Sequence, residues 1–236
     1  MIAPPLKRAV TGARAGQAGF TLIEVLVATI TSLVVAMALF AILEVATRQT
    51  SGVSERVHAN QRGRIAMEYI SNDLHSSCVA VTAVPVLSGS TGTSLELLSE
   101  RGSNAFFTAM TKHRLYLSGT TLYDAVYPST GGVVPHWTFS STPASTSTIL
   151  TGISQSGATP LFRYYKYESS TLPETVMTTP LSEANAKLTA AVKLAMTVAP
   201  ETKTNSIAVG KSIELENTVL LRFDPASTTS QNTPCT

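Results

Sequence analysis

Residues 19–43 read GFTLIEVLVATITSLVVAMALFAIL, and the fold turns on how this stretch is interpreted. Val25 to Leu43 is a run of nineteen residues without a charge. Wound as an α-helix it extends about 28 Å, close to the roughly 30 Å of a bilayer's hydrocarbon core. A secretory signal's apolar region is shorter, about 7–15 residues, and ends at a small-x-small cleavage site. Here the run is longer and no loop-like break follows it, so by itself it supports a plain signal anchor. Charge bias does not orient it. Lys7, Arg8 and Arg14 precede the span, while Arg48, Arg56, Arg62 and Arg64 follow it.

The front edge of the run is more informative. Glu24 stands one turn inside an otherwise apolar helix. A charged group at the centre of a span costs about 2.5–3.5 kcal/mol, and less near the interface, so an acid here is a functional candidate. The plain alternative is a glutamate close enough to the interface to stay solvated.

With its basic leader and apolar continuation, the segment Gly19-Phe20-Thr21-Leu22-Ile23-Glu24-Val25 resembles the type IV prepilin processing site. The match covers about 30 residues and is specific: a glycine, a phenylalanine, a glutamate at the fifth position after the glycine, then a span. The resemblance implies cleavage between Gly19 and Phe20 by a prepilin peptidase, N-methylation of Phe20, and a leader of residues 1–19. It also implies a role for Glu24 in assembly. Cleavage places a new positive amine on Phe20 in the same apolar layer, and buried charges are tolerated when paired. The Phe20 amine of one subunit facing Glu24 of a neighbour would fix one axial stagger between helices.

The helical pattern continues past the span, since no proline occurs between Pro5 and Pro85. Val53, Val57, Met67, Ile70 and Leu74 recur near a 3.6-residue period, with Arg56, Arg62, Glu68 and Asp73 on other faces. A helix over residues 20–78 would be roughly 88 Å long. Gly52 and Gly63 each weaken it by about 1 kcal/mol and allow bending. From Val79 the period changes to that of strands: Val79–Leu87, Ser94–Ser99, a hairpin over His113–Val126, and Leu161–Glu168. Leu181–Lys187 reads as a helical turn. Val192, Leu194, Met196 and Val198 alternate with polar residues, as do Ile213, Leu215, Val219, Leu221 and Phe223. Between Pro128 and Pro160, 22 of 33 residues are Ser, Thr, Gly or Pro, which predicts a long loop with at most a brief strand at Trp137–Phe139.

The expected fold class is therefore α+β: a long N-terminal transmembrane and amphipathic helix, then an antiparallel β-sheet domain over residues 79–236. This layout resembles the pilin architecture. RIAMEYISNDL late in the helix, RLYLSGTTLY, FRYYKY and ELENTVLLRF are similar to PilW-like minor pilins and J-type pseudopilins. Tip-type members often lack the glutamate, so Glu24 argues against that subclass. The resemblance implies a minor pilin of a type IV pilus or a pseudopilin of a type II secretion system. Its partners would be a prepilin peptidase, other pilins or pseudopilins, an inner-membrane assembly platform and membrane lipid. The localisation would be single-pass in the cytoplasmic membrane with the C-terminal domain outside, then the pilus or pseudopilus.

Other chemistry is sparse. The whole chain carries a net charge of +2. Without Lys7, Arg8 and Arg14 the 17 basic residues fall to 14 against 15 acidic ones, which leaves no global footprint for nucleic acid. Cys78 and Cys235 fit either one disulfide in an oxidising compartment or two unrelated buried thiols. His75 and Cys78 lie three apart on the helix, the spacing of a Cys–His pair, though a disulfide partner is the simpler reading. His58 reads as a solvated helix residue, and His113 and His136 lack metal-ligand spacing. Tyr164, Tyr165 and Tyr167 around Arg163 and Lys166 suggest either a stacking surface for single strands or ordinary strand packing. There is no G-x-S-x-G elbow and no P-loop. The expectation is a non-enzyme without a cofactor or metal.

Overall fold

The computed structural model describes residues 19–77, 84–99, 110–133, 136–167, 173–200 and 212–221. The chain divides into two compact units, 1–47 and 48–236, and helix α1 (Leu22–His75) contributes to both. Each unit is taken by itself.

In the first unit α1 starts where Thr21 caps it. Glu24 N–H donates to Thr21 O (3.1 Å) and Thr21 Oγ1 (3.4 Å), and Val25 N–H to Thr21 O (3.2 Å). The side chains of Val25–Leu43 are exposed all round the helix. The hydroxyls among them fold back onto the helix: Thr29 Oγ1 donates to Leu26 O (2.8 Å), Thr31 Oγ1 to Val27 O (2.9 Å) and Ser32 Oγ to Thr29 O (2.9 Å). No hydroxyl proton among these three is left for water, as an apolar solvent requires. Among the described residues, α1 is the one helix long and apolar enough to cross a membrane.

In the second unit α1 buries a stripe of Ala59, Gly63, Ala66, Met67, Ile70, Asp73 and Leu74, spaced three and four apart. The anticipated stripe is corrected at both ends. Val53 and Val57 are exposed, whereas Asp73, placed on a polar face by pattern, is fully buried. Gly63 is a packing residue. A Cβ there would overlap Leu215 Cδ1 and stand 3.0 Å from Val198 Cγ2. The helix ends at His75, where Ser76 Oγ donates to Asp73 O (3.1 Å) and Ser77 Oγ to Leu74 O.

Two antiparallel sheets follow. The first is built from β1 (Ser94–Ser99), β2 (Thr111–Ser118), β3 (Thr121–Val133), β4 (His136–Phe139) and β5 (Ser145–Thr151). Its order is β1-β2-β3-β4, with β5 also on β3. The second contains β6 (Ile153–Ser154), β7 (Phe162–Tyr167), β8 (Pro173–Val176), β9 (Ala191–Val198) and β10 (Ile213–Leu220), in the order β10-β9-β7-β8, with β6 on β9. A short helix α2 (Glu183–Lys187) is capped by Ser182, which accepts from Asn185 N–H (3.2 Å). One contiguous core joins the helix stripe to Leu95, Leu97, Leu115 and Leu122 of the first sheet and to Phe162, Tyr164, Leu194 and Met196 of the second. The layout is α+β: a long apolar N-terminal helix followed by antiparallel sheets.

Ser94–Ser99, the hairpin, β7, α2, β9 and β10 lie where the pattern puts them. Of Val79–Leu87, residues 79–83 lie outside the described residues, and the rest holds a single bridge, Val86 to Leu97. The segment 128–160, expected as a loop, is mostly strand. β3 runs on through it to Val133, and β4, β5 and β6 follow. β3 pairs β5 through Val126 and β4 from Ser129 on; the β4 pairing then shifts register between Ser129 and Gly131, where Gly131 (φ 154°) and Gly132 (φ 104°) take positive φ.

Candidate functional sites

The first candidate site is the start of α1. Gly19 and Phe20 lie ahead of the helix, and the Phe20 side chain is 80% exposed. Gly19 has neither a positive φ nor any atom within 4 Å of an added Cβ. Among the described residues, neither backbone conformation nor packing therefore calls for glycine at 19. Glu24 is exposed in the first turn, where the free N–H groups of the helix favour a negative charge. Thr21 and Glu24 also have the Thr-x-x-Glu spacing of a capping box, of which the threonine half is formed. Cys78 and Cys235 lie outside the described residues, as do residues 1–18 of the expected leader of residues 1–19.

A second cluster is buried in the 48–236 unit. Asp73 of α1, His113 of β2 and Asp124 of β3 are 0%, 3% and 1% exposed. His113 Nδ1 lies 3.1 Å from both oxygens of Asp124. Tyr69 Oη donates to Asp124 Oδ2 (2.7 Å). His113 Nε2 lies 3.2 Å from Thr111 Oγ1, which itself donates to Ser99 O (2.8 Å). His113, assigned no role from its spacing, thus sits at the centre of a polar cluster. The signal was one of phase. His113 is two residues before inward Leu115, Asp124 two after inward Leu122, and Asp73 three after inward Ile70. Polar residues in phase with a core stripe mark a buried network.

One ligand atom each from Asp73, His113 and Asp124 lies within 4.8 Å of the others, a separation a divalent cation can bridge. Both ring nitrogens have polar neighbours: Nδ1 faces the Asp124 carboxylate, and Nε2 faces the Thr111 hydroxyl, which is also within reach of Ser99 O. The direction of the Nε2 contact follows the imidazole tautomer.

The proposed stacking surface on β7 is not assembled. Tyr164 points into the core, donating to Thr91 O and Ser94 O (both 3.0 Å). Burial pushes its phenol far above the ordinary range, so it remains a donor. Arg163 pairs with Glu216 (3.1 Å), which also takes Lys193 (2.6 Å). The hydrogen bond from Lys193 holds the Glu216 carboxyl below its usual range. Aromatic and cationic groups meet instead on the outer face of β2–β3. Tyr116 stacks on Tyr123 at 5.4 Å, Lys112 lies 4.6 Å over Tyr127, and both Lys112 and Arg114 are tied to Glu96. These are cross-strand pairs whose cations already have a carboxylate. His58 and His75 are exposed, and the His136 side chain lies outside the described residues.

No known protein family matches the chain, and neither does any curated protein or solved structure.

Proposed function

We propose that the chain is a type IV prepilin-like filament subunit, a minor pilin cut between Gly19 and Phe20, methylated on Phe20 and assembled through α1. The observation that carries this reading is the Gly-Phe-x-x-x-Glu segment at the front of a helix whose next nineteen residues are apolar and exposed. Gly19 adds support, because nothing among the described residues demands glycine there, whereas a peptidase that cuts after it would. Glu24 supports it too: an exposed acid at the edge of an apolar helix is costly in lipid unless another group neutralises it.

In this reading α1 is the membrane anchor and then the filament's inner element, and the β-rich unit is the extracytoplasmic domain. Glu24→Ala is expected to leave the protein in the membrane and to exclude it from filaments, measured as the ratio of filament-borne to membrane-borne protein. Unchanged incorporation would remove Glu24 from the account. A pseudopilin of a type II secretion system shares the same segment. Deleting the protein and scoring surface pili against exoprotein secretion separates the two. A tethered binding domain or enzyme differs from both, since its activity would survive removal of residues 1–50.

A further inference from the structure

The cluster around His113 brings together the donor types that divalent transition ions take: an imidazole nitrogen from β2 and carboxylates from β3 and α1. We propose that Asp73, His113 and Asp124 form a binding site for a divalent metal ion of the zinc class, which fastens the last turns of α1 to the β2–β3 hairpin. Nothing in the filament reading requires this ion.

The distances match a coordination polyhedron. At a metal–ligand length of about 2.1 Å, adjacent ligands of a tetrahedral or octahedral ion stand about 3.0–3.4 Å apart, and opposite ones about 4.2 Å. His113 Nδ1 lies 3.1 Å from each Asp124 oxygen, which is the adjacent-ligand spacing, with Asp124 able to offer one oxygen or both. A donor atom of Asp73 lies within 4.8 Å of the other two, so a side-chain movement of well under about 1 Å completes the set. Two equal distances are also a poor fit to one linear hydrogen bond, because an N–H shared between two oxygens bends away from both. The three donors are held from behind by the core. Ile70 and Leu74 flank Asp73 on the helix, Leu115 follows His113 and Leu122 precedes Asp124, and all four are in the same core cluster.

The surrounding contacts are those that ligating groups use. A metal-bound imidazole donates its second N–H to an oxygen, and a metal-bound carboxylate is itself hydrogen-bonded. With Nδ1 on the ion, Nε2 carries the hydrogen, and Thr111 Oγ1 at 3.2 Å receives it. Tyr69 Oη donates to Asp124 Oδ2 (2.7 Å). Three protein ligands leave at least one position on the ion for water. Because the ligands come from a helix and two strands that meet only in the folded unit, metal binding adds directly to the stability of that unit.

The test uses the full chain in detergent micelles, purified without a histidine tag, stripped with a chelator and then given zinc alone. Expected are an equimolar amount of zinc retained through gel filtration, and a melting temperature that zinc raises and the chelator lowers again. Asp73→Asn should lose both effects and Glu216→Gln neither. Tyr69→Phe keeps the ring, removes the donor to Asp124 and should weaken zinc by about tenfold or more. Cobalt in place of zinc should show weak visible bands without the thiolate charge-transfer band that Cys78 or Cys235 would add. No retained zinc, zinc retained equally by Asp73→Asn, a thiolate band, or binding that leaves the melting temperature unchanged would each overturn the assignment. The wild-type measurements need no variant, so they decide the matter even if Asp73→Asn does not fold.

Discussion

Gly63 and Tyr164 show how much of the 48–236 unit rests on single side chains. At Gly63 the helix approaches the second sheet with no room for a side chain against Val198 and Leu215. Gly63→Leu gains about 1 kcal/mol of helix propensity and loses more to overpacking, which typically costs about 1–3 kcal/mol. A lower melting temperature for the full chain in detergent is the expected outcome. Tyr164→Phe removes the donor to Thr91 O and Ser94 O, but Ser94 O keeps Thr91 N–H at 2.7 Å. The loss should be about 1–2 kcal/mol, with the fold retained, as read by denaturant unfolding. Both roles were out of reach of the sequence. A glycine in a helix looks the same whether it bends the helix or seats it, and a tyrosine in FRYYKY does not reveal which face it takes until the register is known. A role that depends only on local chemistry was within reach but not read: Thr21 caps α1, as its Thr-x-x-Glu spacing to Glu24 allows.

At the scale of elements, legibility followed burial. β9 announces itself because Val192, Leu194, Met196 and Val198 are all in the core. β5 does not, because only Leu150 in it is buried and Ile149 half-buried, and the rest are exposed Ser and Thr. A strand held by backbone pairing to β3 needs no apolar alternation, and threonine favours strands without being apolar. β8 was missed for a related reason, beginning as it does at Pro173. In α1 the apolar stripe was read too far toward the N-terminus, since Val53 and Val57 continue the period without a surface to bury them. The glycine pair in β3 offers a test of the exchange from β5 to β4. Gly132→Val forces a β-branched residue to φ 104°, at a cost of about 1–3 kcal/mol. Faster amide exchange in His136–Phe139, with β2 and the first half of β3 unchanged, is the expected result.

For the whole molecule, surface charge contributes little, and the proposed reading rests on the long apolar N-terminal helix. Glu216 is half exposed between Lys193 and Arg163. Its depressed carboxyl contributes stability at neutral pH that is lost as pH falls through its folded value. In so exposed a network, Glu216→Gln should cost under about 1 kcal/mol and less still in high salt, as judged by thermal melts. The coarse architecture, a long apolar helix and then antiparallel sheets, was written in composition and period. The buried Asp73–His113–Asp124 cluster was not, because its members lie 40 and 11 residues apart along the chain and meet only when three elements pack. The proposed role of the helix rests on residues 19–24 at its front edge. Mass spectrometry of the native N-terminus, from cells with an active prepilin peptidase, tests that claim most directly. The account predicts a chain that begins at a methylated Phe20, and an intact Met1 or a cut at another bond would contradict it.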